Sequence, residues 1–166
     1  NDVWLQLVRT YDWGIMLIHT VNFGKLEIPE ETVLTFKEGL PGFPQIHRFV
    51  ILEREEIKPF LYLQALDDPP ISLFLINPFL VDPTYEFRLS DADMEDVNSK
   101  NSTELAVYAV ATIPSDASQA TLNLMAPIVV NDKARCGKQV ILHESKYAVK
   151  HPLLSNADTE SKAQEA

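Results

Sequence analysis

At 166 residues, with 46% apolar and 23% charged side chains, the chain is long enough to bury one sizeable core and has an ordinary globular composition. Its formal net charge of −10 sets it against phosphate backbones and anionic lipid, which argues against direct nucleic-acid or membrane binding and favours a basic protein partner. A lone cysteine, Cys136, excludes an intrachain disulfide, suits a reducing compartment and reads as a structural thiol.

Residues 1–15 hold both tryptophans, Trp4 and Trp13, yet follow no clear period. They are read as an N-terminal extension inherited from cloning or an upstream start, with Met16 as the natural start; a short extra strand or interaction segment is the competing reading. The β pattern begins at residue 15. Residues 15–21 and 23–28 read as two strands split at Asn22 and re-aimed at Gly24. Residues 32–36 alternate and predict a third strand, followed by Lys37-Glu38-Gly39-Leu40-Pro41-Gly42-Phe43-Pro44, whose glycines and prolines predict a tight loop anchored by Leu40 and Phe43.

Residues 48–53, 60–66 and 71–76 are the next strands, the last two joined by a turn at Asp67-Asp68-Pro69-Pro70. The apolar run ending at Ile76 meets Asn77-Pro78. Proline lacks an amide hydrogen and forces the preceding residue into an extended conformation, so a regular strand stops there and a fixed corner follows. Ser90 caps a predicted helix over residues 89–97, whose early acids suit the positive end of the helix dipole. Residues 104–113 alternate strongly. Leu122 and Leu124 share a face, and residues 127–131 and 138–143 make a final hairpin around a turn at 132–134. From residue 155 the composition is small and polar, which predicts a disordered tail over 155–166. The expected fold is mainly β: a single domain over residues 16–154, forming a partly open, barrel-like sheet of about nine or ten short strands with one short helix.

Chemistry is hard to find. His19, His47, His143 and His151 are scattered, and no metal-ligand helix, nucleophile elbow or phosphate-cradling glycine loop is present. Asp91, Asp93 and Glu95 imitate the start of a calcium loop, but Asp96 stands where glycine is needed and Ser102 where a bidentate glutamate is needed. Asp67 and Asp68 read as turn formers rather than a catalytic pair. No catalytic residue, cofactor or metal is expected. The apolar runs are too short for a helical membrane crossing and no secretory leader opens the chain, so a cytoplasmic location is expected.

Charge is segregated along the sequence. Asp82, Glu86, Asp91, Asp93, Glu95, Asp96 and Glu104 stand against Arg88 and Lys100, whereas Lys133, Arg135, Lys138, Lys146 and Lys150 stand against Glu144. An acidic surface of this kind would speed docking of a basic protein.

Several pieces, in order, resemble the flagellar assembly factor FliW family. They are Phe23-Gly24-Lys25-Leu26-Glu27-Ile28, Phe36-Lys37-Glu38-Gly39-Leu40-Pro41-Gly42-Phe43, Leu63-Gln64-Ala65-Leu66-Asp67-Asp68-Pro69 and Ile76-Asn77-Pro78-Phe79. Leu89-Ser90-Asp91, Asn123-Leu124-Met125-Ala126-Pro127-Ile128-Val129-Val130-Asn131 and Gly137-Lys138-Gln139-Val140-Ile141-Leu142 complete the set. The resemblance spans residues 16–152 and leaves the first fifteen outside. It implies a non-enzymatic β protein that binds the carbon storage regulator CsrA, a small basic RNA-binding dimer, and also binds flagellin. In that scheme flagellin retained in the cytoplasm occupies the factor. The regulator is then free to repress flagellin translation, and export of flagellin reverses the exchange.

Within about one Debye length, roughly 8 Å at physiological salt, an acidic factor docked on the regulator would also repel incoming RNA. The expected protein-binding residues are Tyr62, Gln64, Asp67, Asp68, Ile76, Asn77, Pro78 and Phe79, taken as one end of the sheet with aromatic anchors and acids. In the bland alternative Asn77 bonds the corner and Phe79 fills the core. A monomer is expected. Two other functions fit the sequence: a small barrel enzyme or ligand carrier, and a chaperone for flagellin alone.

Overall fold

The computed structural model describes residues 14–67, 70–143 and 145–154. The readings made for residues 1–13, Asp68, Pro69, Glu144 and the tail over 155–166 lie outside this range. The first two strands, β1 (Ile15–Thr20) and β2 (Gly24–Pro29), form an antiparallel hairpin of their own. Its turn is closed by the Thr20 hydroxyl, which donates to the Gly24 carbonyl and accepts from the Phe23 amide, each at 2.8 Å. Gly24 takes the left-handed conformation expected of a turn glycine, at φ 66°. Ile15 pairs with Pro29, so the strand starts one residue before Met16.

The remaining strands form one nine-stranded sheet. They are β3 (Leu34–Thr35), β4 (Arg48–Leu52), β5 (Leu61–Ala65), β6 (Ser72–Ile76), β7 (Ala106–Thr112), β8 (Thr121–Leu122), β9 (Ile128–Asn131), β10 (Cys136–Gln139) and β11 (His151–Pro152). Consecutive strands β3 to β7 pair antiparallel, and β7 then divides its far edge. Ala106–Tyr108 meet β9, whereas Ala111 and Thr112 meet β8. Since β9 pairs with β10 and β10 with β3, seven strands close into a barrel. The β3–β10 seam is parallel and rests on one residue pair, Thr35 with Cys136. The one α-helix among the described residues, α1 (Asp91–Asp96), carries a full capping box: the Ser90 hydroxyl accepts from the Asp93 amide and the Asp93 carboxylate from the Ser90 amide.

Two strand predictions need correction. Residues 32–36 supply only the two residues of β3. Glu30–Thr32 form a 3-10 turn, and beyond β3 the ladder keeps only the Phe36 amide's bond to the His47 carbonyl, at 2.7 Å; the return bond is lost because the His47 amide donates to Asp67 and the Phe36 carbonyl accepts from the Gly39 amide. The last hairpin is tighter than expected, with its second arm starting at Cys136. The Asn131 side chain accepts from the Ala134 amide, and Arg135 takes a positive φ of 56°, so the turn closes early. Both corrections come from side-chain and turn geometry that alternation does not encode.

Both faces of the barrel strands are apolar, and each face has its own core. Leu34, Phe36, Phe49, Leu63, Leu75, Ile128 and Val130 fill the interior, with Leu40, Ile46 and Phe43 from the glycine-proline loop and the residues after it closing one end. Val50, Leu52 and Tyr62 point outward and are covered by Ile18, Ile28, Phe23 and Leu26 of the first hairpin. Ile76, Ala109, Ala111 and Val129 also point outward, beneath Tyr85, Val97, Leu122, Leu124, Val140 and Leu142. Every second residue of β7 therefore belongs to a different core. Burying each such large side chain stabilises the fold by about 1.5–3 kcal/mol before entropy is counted.

Gly137 is required by this packing. A Cβ there would lie 2.4 Å from the ring of Phe36, a residue with no exposed surface. Substituting Gly137→Ala is expected to displace that ring and destabilise the protein by about 1–3 kcal/mol. In urea the unfolding midpoint should fall with an unchanged slope.

Candidate functional site

The corner after β6 is built by Asn77 and Pro78. Asn77 is extended, and its Oδ1 accepts from the Phe79 amide at 3.0 Å, capping a 3-10 turn over Pro78–Leu80 that has proline at its start. Ile76 and Pro78 are buried. Phe79 and Leu80 are turned outward, with 41% and 63% of their surface exposed. Asn77 thus holds the corner by hydrogen bonding, but Phe79 does not fill the core; its ring only flanks Tyr85, at 5.9 Å between centroids.

From the corner the chain runs back over the barrel as an irregular strap, residues 82–90. Tyr85 is its buried anchor, donating from its hydroxyl to the Leu124 carbonyl at 2.6 Å. Burial, with the neighbouring Tyr147, pushes its pKa well above the ordinary phenol value. Phe87 and Leu89 repeat the inward spacing, whereas Glu86 and Arg88 face solvent. Strap, corner and helix leave a cleft of about 480 Å³ lined by Phe79, Phe87, Leu89, Met94, Leu105 and Val107, with Glu86, Arg88 and Lys100 at its margin. On α1, beside Met94, Asp91 and Glu95 point outward. An apolar floor bordered by charged side chains is the make-up of a protein-docking surface.

The acidic and basic stretches are not two separate surfaces. Lys138 lies between Asp93 and Asp96, at 2.9 and 2.6 Å, and Lys37 reaches Asp96 at 3.4 Å. Burial alone would raise the Asp93 carboxyl, but hydrogen bonds from Lys138 and Ser90 outweigh it and hold the pKa below the usual range. The Lys138 hydrogen bond lowers Asp96 directly. Burial works against the Lys138 ammonium, and the two carboxylates overcome it, leaving its pKa raised. Asp93 and Asp96 therefore serve the fold, while Asp91, Glu95, Glu86 and Glu104 remain exposed to a partner.

The residues expected to form one end of the sheet are divided between its two ends. The β5–β6 register sets Gln64 opposite Ser72 and Leu61 opposite Leu75, which puts the Asp67 turn and the Asn77 corner at opposite ends of β6, about 15 Å apart at strand rise. Tyr62 packs between Phe23 and Phe74, at 5.1 and 4.6 Å, beneath the first hairpin. Gln64 is buried and donates to the Ala65 and Ile71 carbonyls. Asp67 is gripped by Arg48 at 2.9 Å and accepts from the His47 and Arg48 amides. Burial opposes its ionisation, but Arg48 more than compensates and its pKa is lowered. Of the proposed set, the structure leaves Phe79 facing a cleft, with Ile76, Asn77 and Pro78 as its support. Phe87, Leu89 and Met94 line the same cleft and were not among the expected residues, although the alternation Tyr85-Glu86-Phe87-Arg88-Leu89 was there to be read.

Among the described residues no group of three or more His, Cys, Asp or Glu side chains is placed to hold a metal ion, and no helix is long and apolar enough to cross a membrane.

Residues 17–153 match the family model described as FliW protein. A flagellar assembly factor FliW of Thermosipho africanus is 38% identical over 136 residues, covering 81% of this chain and 94% of that relative. The Bacillus subtilis factor is 37% identical, covering 83% and 96%. A crystal structure of the flagellar assembly factor FliW superposes with a TM-score of 0.80 at 38% identity, over 85% of this chain and 99% of that one.

Two outcomes are expected of this geometry. Acid should destabilise the protein as pH falls below about 3.8, the ordinary aspartate value, because Asp93 and Asp96 titrate lower in the folded state and must then take up protons. Lys138→Met should cost on the order of 1–3 kcal/mol at neutral pH and flatten that acid limb, as measured by urea unfolding at stepped pH. Separately, Phe79→Ala should change stability by less than about 1 kcal/mol, whereas Asn77→Ala, which loses the cap, should cost about 0.5–2 kcal/mol.

Proposed function

Because the chain belongs to the FliW family of flagellar assembly factors, we propose that it works without catalysis, as a cytoplasmic protein-binding regulator that exchanges two partners: CsrA and flagellin. One observation carries this reading to a place on the molecule: the cleft under outward-facing Phe79 shares Met94 and Lys100 with an adjoining hollow lined by the exposed acids Asp91 and Glu95 of α1. Phe79, held on a capped proline turn, loses little conformational freedom on docking, which favours it as an anchor. Asp91 and Glu95, across Met94 from the cleft, attract a basic partner and speed its approach. The overall charge of −10 is unsuited to RNA. Control of translation then runs through the regulator: the docked factor lowers the regulator's RNA affinity by placing negative charge near the RNA path.

The ligand-carrier alternative is disfavoured by the barrel interior, which is occupied by fully buried Phe36, Phe49, Leu63, Leu75 and Ile128. A chaperone serving flagellin alone would use the same apolar cleft but has no need of the exposed acids of α1.

Calorimetric titration with the source organism's CsrA, before and after adding flagellin, tests the proposal. Binding should be tight, relieved by flagellin, and weakened about tenfold or more by Phe79→Ala at unchanged stability. Asp91→Asn with Glu95→Gln should slow association mainly at low salt. A folded protein that binds neither partner would overturn the reading, and binding to flagellin alone would leave only the chaperone.

A further inference from the structure

The barrel seam leaves one strand edge unpaired. Towards β9, the even-numbered residues of β10 and its continuation make the bonds: the Val140 and Leu142 amides donate to the Pro127 and Met125 carbonyls, each at 2.8 Å. By strand alternation the N–H and C=O of Gln139 and the N–H of Ile141 point the other way. On that side β3 engages β10 only at Cys136, and the chain then leaves in the turn that the Gly39 amide closes on the Phe36 carbonyl at 2.9 Å. Among the described residues the Gln139 and Ile141 backbone amides have no partner.

This edge borders two clefts. One, of about 250 Å³, separates it from the loop over residues 37–44; the other, of about 670 Å³, runs on to the strap at Phe87 and Arg88. Lys138, Gln139, Ile141 and Glu38 line both, so they form one trough along the edge. Ile141 is 46% exposed on it.

We propose that this edge binds an extended segment of a partner protein by strand addition, continuing the line that β3 abandons. The proposal rests on the reading of the chain as a protein-binding factor and adds a second contact, distinct from the Phe79 cleft. Amide and carbonyl groups recurring at every second residue are matched only by extended backbone. Charge selects among extended segments. Lys138 is held by Asp93 and Asp96 and lies 3.9 Å from the largely exposed Glu38 carboxylate, and Lys37 reaches Asp96; the acids of the trough, Glu38, Glu86, Asp93 and Asp96, outnumber its cations, Lys37, Arg88 and Lys138, by one. In a chain of net charge −10, the occupant is a segment with basic residues and an apolar side chain set against Ile141.

The test uses amide hydrogen exchange read by NMR and a capped synthetic strand peptide of alternating lysine and valine or isoleucine. In the protein alone, the Gln139 and Ile141 amides should exchange much faster than those of Val140 and Leu142; equal protection would overturn the proposal. Adding the lysine peptide at millimolar concentration should protect Gln139 and Ile141, the glutamate counterpart should act more weakly, and N-methylation of the peptide's pairing amides should abolish the effect. Ile141→Pro removes one outward amide and none of the β9 bonds, and should weaken peptide binding about tenfold, while Ile141→Ala should cost less than about threefold. No protection by the lysine peptide, or equal binding by its N-methylated form, would overturn strand addition. Failure of the partner exchange reads differently: a peptide that protects the edge of a protein binding neither CsrA nor flagellin keeps the edge and removes that reading. Full partner binding by a folded Ile141→Pro protein keeps the partner reading and removes the edge.

Discussion

A closed barrel whose strands are apolar on both sides cannot stand alone in water, and most of the structure follows from that constraint. Val50, Leu52 and Tyr62 look outward from one side, and Ile76, Ala109, Ala111 and Val129 from another. Each outward stripe would form an exposed apolar patch unless something lay over it. The first hairpin covers one stripe; the strap, α1 and the segments after β8 and β10 cover the other. The second cover is irregular, so it ends in clefts and leaves Phe79 and Leu80 at the surface. The functional reading therefore comes from the cover rather than from the barrel.

That cover is fastened by a few specific contacts. Tyr85 pins the strap through its hydroxyl, and Lys138 draws α1 onto β10 by holding Asp93 and Asp96. Since these acids are already paired, much of the acidic stretch is cohesive rather than available. What remains outward, chiefly Asp91 and Glu95, sits next to the apolar cleft. The resulting surface combines anchoring and steering over a short distance, as the proposed docking of a basic partner requires.

Much of the fold was legible in the sequence for physical reasons. Apolar runs bounded by turns predicted β4 to β6 and alternation predicted β7, while Ser90 marked the helix start, Gly24 the first turn, and Asn77-Pro78 the corner. The brevity of β3 and the early start of β10 were not legible, because they depend on where Phe36 and Asn131 find their hydrogen bonds. The geometry around the expected site residues was legible only in part. Phe79 lies where a partner could reach it, but grouping it with Tyr62, Gln64 and Asp67 mistook nearness in sequence for nearness in space. An antiparallel hairpin sends its turn and its exit to opposite ends. Likewise, segregated charge in the sequence became a half-buried ion cluster, since Lys138 from one stretch folds onto acids of the other.

The most direct measurement of the central claim is a hydrogen-exchange footprint of the full chain, alone and saturated with CsrA. Protection concentrated on residues 79–89 and α1, with little change at the β5–β6 turn or the first hairpin, is the expected result. Protection confined to the first hairpin and the Asp67 turn, with residues 79–89 unchanged, would contradict it.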